Sequence, residues 1–291
     1  MTDIIQGLLQ LQESIHRFEV ETLGLDPDWG EARVAFCVAG ELLDLAFHGD
    51  SFDEFPDEPP GMDEDSNHPL AAFLDWLAEP HHARRVRSLR FTGPDEGGNG
   101  MRPWTFDRLL NRDVVFERLR HFEVGLTDGA DHNLSVIASA DDWFSEGGTL
   151  AALLARMPTL RSMIVPSAPN EEFFDGPPHP LSSLQLQCGL AHENVITNLA
   201  RSSRFPELRE LDHTEMHDPG RVAEASAEEL RELFTDVEAF EELVRSPTGR
   251  RLSRLVLRGT TLTEEQLGSL HRANPGLQLI HVPEEHGYHI S

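Results

Sequence analysis

Apolar residues recur along the chain in one frame, φ-x-x-φ-x-φ, where φ is apolar. The frame fits Val86/Leu89/Phe91, Leu119/Phe122/Val124, Leu160/Met163/Val165 and Leu181/Leu184/Leu186. It fits again at Leu208/Leu211, with His213 in the last slot, at Leu252/Leu255/Leu257 and at Leu277/Ile280/Val282. The last three positions alternate, as a short strand with one buried face must. Helical patterns separate the copies, at 147–158, 192–203, 227–244 and 263–274; the second puts Val195, Ile196 and Leu199 on one face. Thr263 with Gln266, and Ser226 with Glu229, have the spacing of a capping box. First positions are 33, 41, 21, 27, 44 and 25 residues apart. The shorter steps match repeats of about 20–29 residues, and the longer ones must carry insertions or longer helices. No copy can bury its own apolar face, so the predicted core is the stack of copies. Leu89, Leu119, Leu160, Leu184, Leu211, Leu255 and Leu277 are predicted to be buried in a single row, with helices on one side of the sheet only.

Residues 1–80 read differently. A helix is expected at about 3–14, then "RFEVETLGL" (17–25), a turn at "DPDWGE" (26–31) and an alternating stretch with Val34, Phe36 and Val38. This is the pattern of a hairpin or a three-stranded meander. The predicted organisation is an N-terminal α+β cap, 1–80, followed by an irregular repeat domain, 81–291, of about seven copies. The cap carries an acidic linker at 48–69, which holds eight carboxylates and no Lys or Arg and reads as a solvated connection.

Two stretches carry a family likeness. "LSSLQLQCGLAHENVITNLARSSRFPELRELD" (181–212) and "LSRLVLRGTTLTEEQLGSLHRANPGLQLI" (252–280) resemble bacterial cytoplasmic leucine-rich-repeat proteins of the ribonuclease-inhibitor-like type. The likeness covers roughly residues 80–285, with irregular repeat lengths and mostly without the asparagine often found after the strand. It implies an α/β horseshoe, a solenoid with a parallel sheet inside and helices outside, that binds other proteins and has no catalysis of its own.

Composition narrows the function. The net charge is −27, from 51 acids against 24 bases, which argues against a phosphate-backbone footprint. It fits a protein partner, with a basic protein as one candidate. Two distant cysteines, Cys37 and Cys188, form no disulfide framework and read as small apolar fillers. The N-terminus lacks a basic n-region and no apolar run reaches about 18 residues, so a cytoplasmic protein without membrane contact is expected. No nucleophile elbow or phosphate loop is present, and the glycine-rich "PDEGGNG" (94–100) reads as a surface loop. His213/His217 fall at a strand end without shared helical spacing, His281/His286/His289 could meet a metal only if the tail folds back, and the carboxylates of 48–69 lack the spacing and glycine of a calcium loop. The expectation is a non-enzyme with no cofactor and no metal.

In a horseshoe the spacers beside the φ residues form the concave face. The candidate partner-binding residues are therefore Arg90, His121, Glu123, Gln185, Glu210, Asp212, Arg254, Arg258 and His281. Their formal charges cancel although the chain is strongly acidic, and residues 224–243 alone carry eight acids and one Arg. The expected function is a protein–protein interaction scaffold. The alternatives are an immunity or inhibitor protein that neutralises a basic toxin such as a nuclease, and, further off, a metal-dependent enzyme using the histidines.

Overall fold

A computed structural model describes residues 2–21, 24, 33–49, 69–94, 100–128, 131–139, 145–188, 191–215 and 234–283. The acidic stretch 50–68, the 26–31 turn, the Ser226/Glu229 cap and residues 284–291 lie outside them. The fold is mixed α/β. It opens with helix α1 (Thr2–Glu21), which buries Ile4, Leu8, Ile15 and Glu19 on one face. The helix expected at 3–14 thus runs on through residues 17–21, which leaves two strands and not a three-stranded meander here. The hairpin follows, β1 (Val34–Ala39) against β2 (Leu42–His48), antiparallel. Gly40 sits at φ 67 in its two-residue turn, a left-handed position that hairpin turns favour glycine for.

From β2 onward every strand of the main sheet pairs in parallel with the next. The order is β3 (Val86–Thr92), β5 (His121–Val124), β7 (Ser162–Val165), β8 (Ser183–Cys188), β9 (Glu210–Glu215), β10 (Arg254–Arg258) and β11 (Gln278–Val282), nine strands with β1 and β2. Two strands absent from the sequence pattern, β4 (Gly100–Trp104) and β6 (Asn133–Ile137), make a separate parallel pair. They occupy the two early long steps between copies.

The connections hold α2 (Pro69–Leu77), α3 (Pro80–Ala83), α4 (Asp107–Leu110), α5 (Thr149–Arg156), α6 (Val195–Arg201), α7 (Val237–Arg245) and α8 (Glu264–Ala273). Neighbouring helices touch: α1 on α2, α2 on α4, α6 on α7, α7 on α8. A 3-10 turn at Glu171–Phe174 bridges α5 and α6. The expected capping box closes α8: Thr263 accepts the Gln266 amide, and the Gln266 side chain accepts the Thr263 amide. Before β10 the chain turns tightly at Gly249, where a Cβ would lie 1.8 Å from the Leu243 carbonyl oxygen, so only glycine fits.

The strand residues alternate. Leu45, Leu89, Phe122, Met163, Leu184, Leu211 and Leu255 align in register across seven strands, none more than 2% exposed. Buried residues of every helix from α4 to α8 join them in one core that runs from Ile4 to Leu277. At its N-terminal end the core is aromatic, with Phe73 stacked on Phe47 and Phe91 edge-on to Phe106. The seven leucines expected in one row are all buried but occupy two: Leu119, Leu160 and Leu277 precede their strands, and the others lie within them. In β11 the register differs from the frame by one residue. Leu255 pairs with Leu279 and Leu257 with His281, so Leu279 and His281, not Ile280 and Val282, follow the buried row. Among the described residues no helix is long and apolar enough to cross a membrane.

Leu184 sits mid-sheet with 1% exposure. Leu184→Ala is expected to cost about 2–5 kcal/mol in urea unfolding, the range for a packed leucine whose site collapses incompletely. A cost below about 1 kcal/mol, within the noise of surface substitutions, would place that leucine outside the core.

Candidate functional site

The face opposite the leucine rows is the candidate site. Register aligns Ser88, His121, Ser162, Ser183, Glu210 and Arg254 in one row, and Arg90, Glu123, Ile164, Gln185, Asp212 and Val256 in the next. Apart from buried Val256, these side chains are half-exposed or exposed, while the residues between the two rows, Leu89, Phe122, Met163, Leu184, Leu211 and Leu255, are buried. Eight of the nine candidate residues lie on this face. The exception is His281: its strand partner is Leu257, so it belongs to the core side, and its Nε2 is buried with no hydrogen-bond partner among the described residues. The one-residue shift of β11 is the cause.

The strip neutralises itself locally. Arg90 pairs with Glu123 at 2.9 Å, and His121 Nε2 lies 3.0 Å from the other Glu123 oxygen. His121 Nδ1 reaches the Ser162 hydroxyl at 3.3 Å. The His121 hydrogen bond, opposed by partial burial and helped by Arg90, holds Glu123 below the ordinary carboxylate range. Three strands away, Arg258 donates twice to Asp212, at 2.8 and 3.2 Å. Gln185 lies between the two clusters. Ser183 donates weakly to Glu210 at 3.5 Å, and Arg254 stands beside Glu210 in register. Where the strands end, the face closes: Gln187 accepts the Thr127 amide at 2.9 Å and donates to the Thr127 carbonyl at 3.0 Å. Thr127 is thereby fastened to the end of β8, and Pro166 and Gln187 are buried.

On the other side of the sheet is a cluster that the sequence reading missed. His213 is wholly buried, with Nε2 3.3 Å from Glu215 and Nδ1 3.9 Å from the Cys188 sulfur. Glu215 also accepts the Thr235 amide at 2.9 Å. Cys188 is therefore more than the small filler it resembles in sequence. Burial acts to depress the His213 pKa, but the contacts with Cys188 and Glu215 outweigh it and push the imidazole up to about 10. Burial likewise opposes ionisation of Glu215, and His213 with Thr235 outweighs it, holding the carboxyl below its usual 4.5. The result is a desolvated imidazolium–carboxylate pair that pins Thr235, just before α7, to β9. Cys188, His213 and Glu215 are each at most 2% exposed, so the geometry is that of a buried fastening and not of a site open to substrate. The sequence signal was a histidine in a slot that is apolar in every other copy. His217, His286 and His289 lie outside the described residues, among which no group of three or more His, Cys, Asp or Glu is placed to hold a metal ion.

Compared with known proteins, the sequence matches no family model and no curated protein.

The buried pair sets two expectations. Glu215→Gln strands a buried imidazolium and should cost about 3–5 kcal/mol near neutral pH. The raised histidine stabilises fully below its unfolded value of 6.5, and this contribution drains as pH rises through about 10. The lowered carboxyl acts in the opposite sense: its contribution is present above 4.5 and is lost as pH falls through the folded value. The midpoint of urea unfolding should therefore fall from pH 6.5 to 10, with a slope that His213→Leu/Glu215→Met lacks. Equal slopes in the two proteins would mean that the pair is uncharged.

Proposed function

We propose that the chain is a non-catalytic scaffold of leucine-rich-repeat type, a solenoid whose largely polar, concave sheet face grips a partner protein. The observation that carries this reading is the polar strip that crosses six parallel strands in register, from β3 to β10. Units that each bury leucine on one side and stack in chain order leave the other side free for an extended contact. Most charges on the strip are already paired within it, so a partner covers them without stranding a charge. Arg254, Glu210, Gln185 and the apolar Ile164 are what the face offers outward, a mixed polar surface typical of interfaces. The net charge of −27 supports a second reading, an inhibitor of a basic toxin. Such a partner would meet acidic helices, including Glu238, Glu241 and Glu242 of α7.

The test is affinity capture from the organism that encodes the protein, with Ile164→Arg/Gln185→Arg as the blocked face and Arg272→Gln on α8 as the control. The scaffold reading expects one partner captured by wild type and by the control, and lost with the blocked face. With that partner in hand, Arg254→Ala should cost about 1 kcal/mol or more, and the affinity should change little with salt. A steep loss of affinity with salt, together with full binding by Arg254→Ala, would replace this reading with the acidic-inhibitor one.

A further inference from the structure

A different surface carries the opposite charge. The turns that lead into the strands (40–41, 78–85, 111–120, 157–161, 175–182, 202–209 and 246–253) hold ten arginines against six carboxylates, in a chain with 24 bases and 51 acids. The chain has no lysine, so each of these cations is a guanidinium. Because the strands are parallel, their starts line one rim of the sheet. The backbone ladder continues along that rim. The Arg161 amide donates to the Arg120 carbonyl, Ser182 to Arg161, Arg209 to Ser182 and Ser253 to Arg209, at 2.8–2.9 Å. Arg120, Arg161 and Arg209 are thus held in file at steps of about 4.8 Å per strand.

Arg118, Arg120, Arg209 and Arg250 are exposed, and among the described residues none of the four is in an ion pair. Arg120 is held by the Thr159 carbonyl at 2.8 Å, and Arg209 by the Leu208 carbonyl at 3.0 Å. Each of these contacts uses only part of a five-donor fork and leaves the rest facing solvent. Arg118 also lines a cleft of about 520 Å³ with His81, His82, Arg84 and Arg85, where Asp3, Glu41 and Glu117 supply the opposite charge.

We infer that this rim docks an extended acidic segment of a partner protein, with carboxylates taken by Arg118, Arg120, Arg209 and Arg250. A guanidinium fork matches a carboxylate with two parallel hydrogen bonds. At physiological ionic strength charges are screened within about 8 Å, so a segment lying on the rim responds to the nearby arginines rather than to the net charge of the whole chain. Single-stranded nucleic acid is the poorer fit, because its bases stack on exposed aromatic rings, whereas the rim phenylalanines Phe116 and Phe205 are wholly buried. The inference does not rest on the uncovered face; either surface can fail alone.

The experiment is fluorescence anisotropy of a labelled oligoglutamate peptide with the full chain at about 0.1 M salt. Wild type and Arg272→Gln should bind alike. Arg118→Gln should weaken binding about threefold, and Arg118→Gln/Arg120→Gln/Arg209→Gln about tenfold or more, as expected for exposed ion pairs lost singly and together. Arg118 makes no hydrogen bond that holds the fold, so its single variant stays informative if the triple variant melts early. Absence of peptide binding by wild type, or unchanged binding by folded Arg118→Gln and triple variants, overturns the inference. So does an oligothymidylate of equal charge that binds as tightly and is lost in the same variants, since the rim would then read charge and not carboxylates.

Discussion

Parallel strands cannot be joined by a tight turn; each needs a crossover that carries the chain back to the rim where the strand began. After the single hairpin at Gly40, every connection in the main sheet meets this demand. The rest of the architecture follows from it. Strand starts share one rim and strand ends the other, so any residue type favoured at a fixed place in the unit becomes a line across the molecule. Leucine gives the buried rows, polar spacers give the open strip, and arginine gives the cationic rim. The crossovers bury their apolar sides against the leucines, which makes the core continuous and leaves no unit able to hold its shape by itself.

Charge is handled in three ways. On the open face Arg90, Glu123 and His121 form one local group and Asp212 with Arg258 another, both in partial contact with water. In the core the His213–Glu215 pair is wholly buried and is tolerated because Glu215 accepts the Thr235 amide and the second ring nitrogen of His213 faces the Cys188 sulfur as acceptor. On the rim several guanidiniums grip backbone carbonyls and keep their charge. The acidity of the composition therefore says little about any one surface.

Strands were legible in the sequence wherever apolar residues could sit on only one face. β8 is the clear case, with Leu184 and Leu186 alternating with glutamines. β11 was not, because apolar residues at 277, 279, 280 and 282 satisfy either register; the Gln278 amide bonding to the Ser253 carbonyl settles it. That shift moved His281 from the open face to the core side. β4 was hidden by Pro103, which speaks against a strand, and β6 by burial of all five residues, which erases alternation. The C-terminal part of α1 was not legible, because Phe18 and Val20 alternate as a strand would. Eight of the nine residues that the spacing assigned to the open face lie there. The Cys188–His213–Glu215 cluster could not be read from spacing, since its members meet only once β8 and β9 are set side by side.

Sheet order that follows chain order also fixes how the molecule gives way under tension. Among the described residues each inner strand of the main sheet is bonded to the strands before and after it, and β11 to β10. A pull on the C-terminal end loads the β10–β11 bonds first and leaves the others slack. The chain then pays out strand by strand, as a tape leaves a reel, with length released in many small steps. A sheet whose terminal strands lay at its centre would hold until it broke all at once.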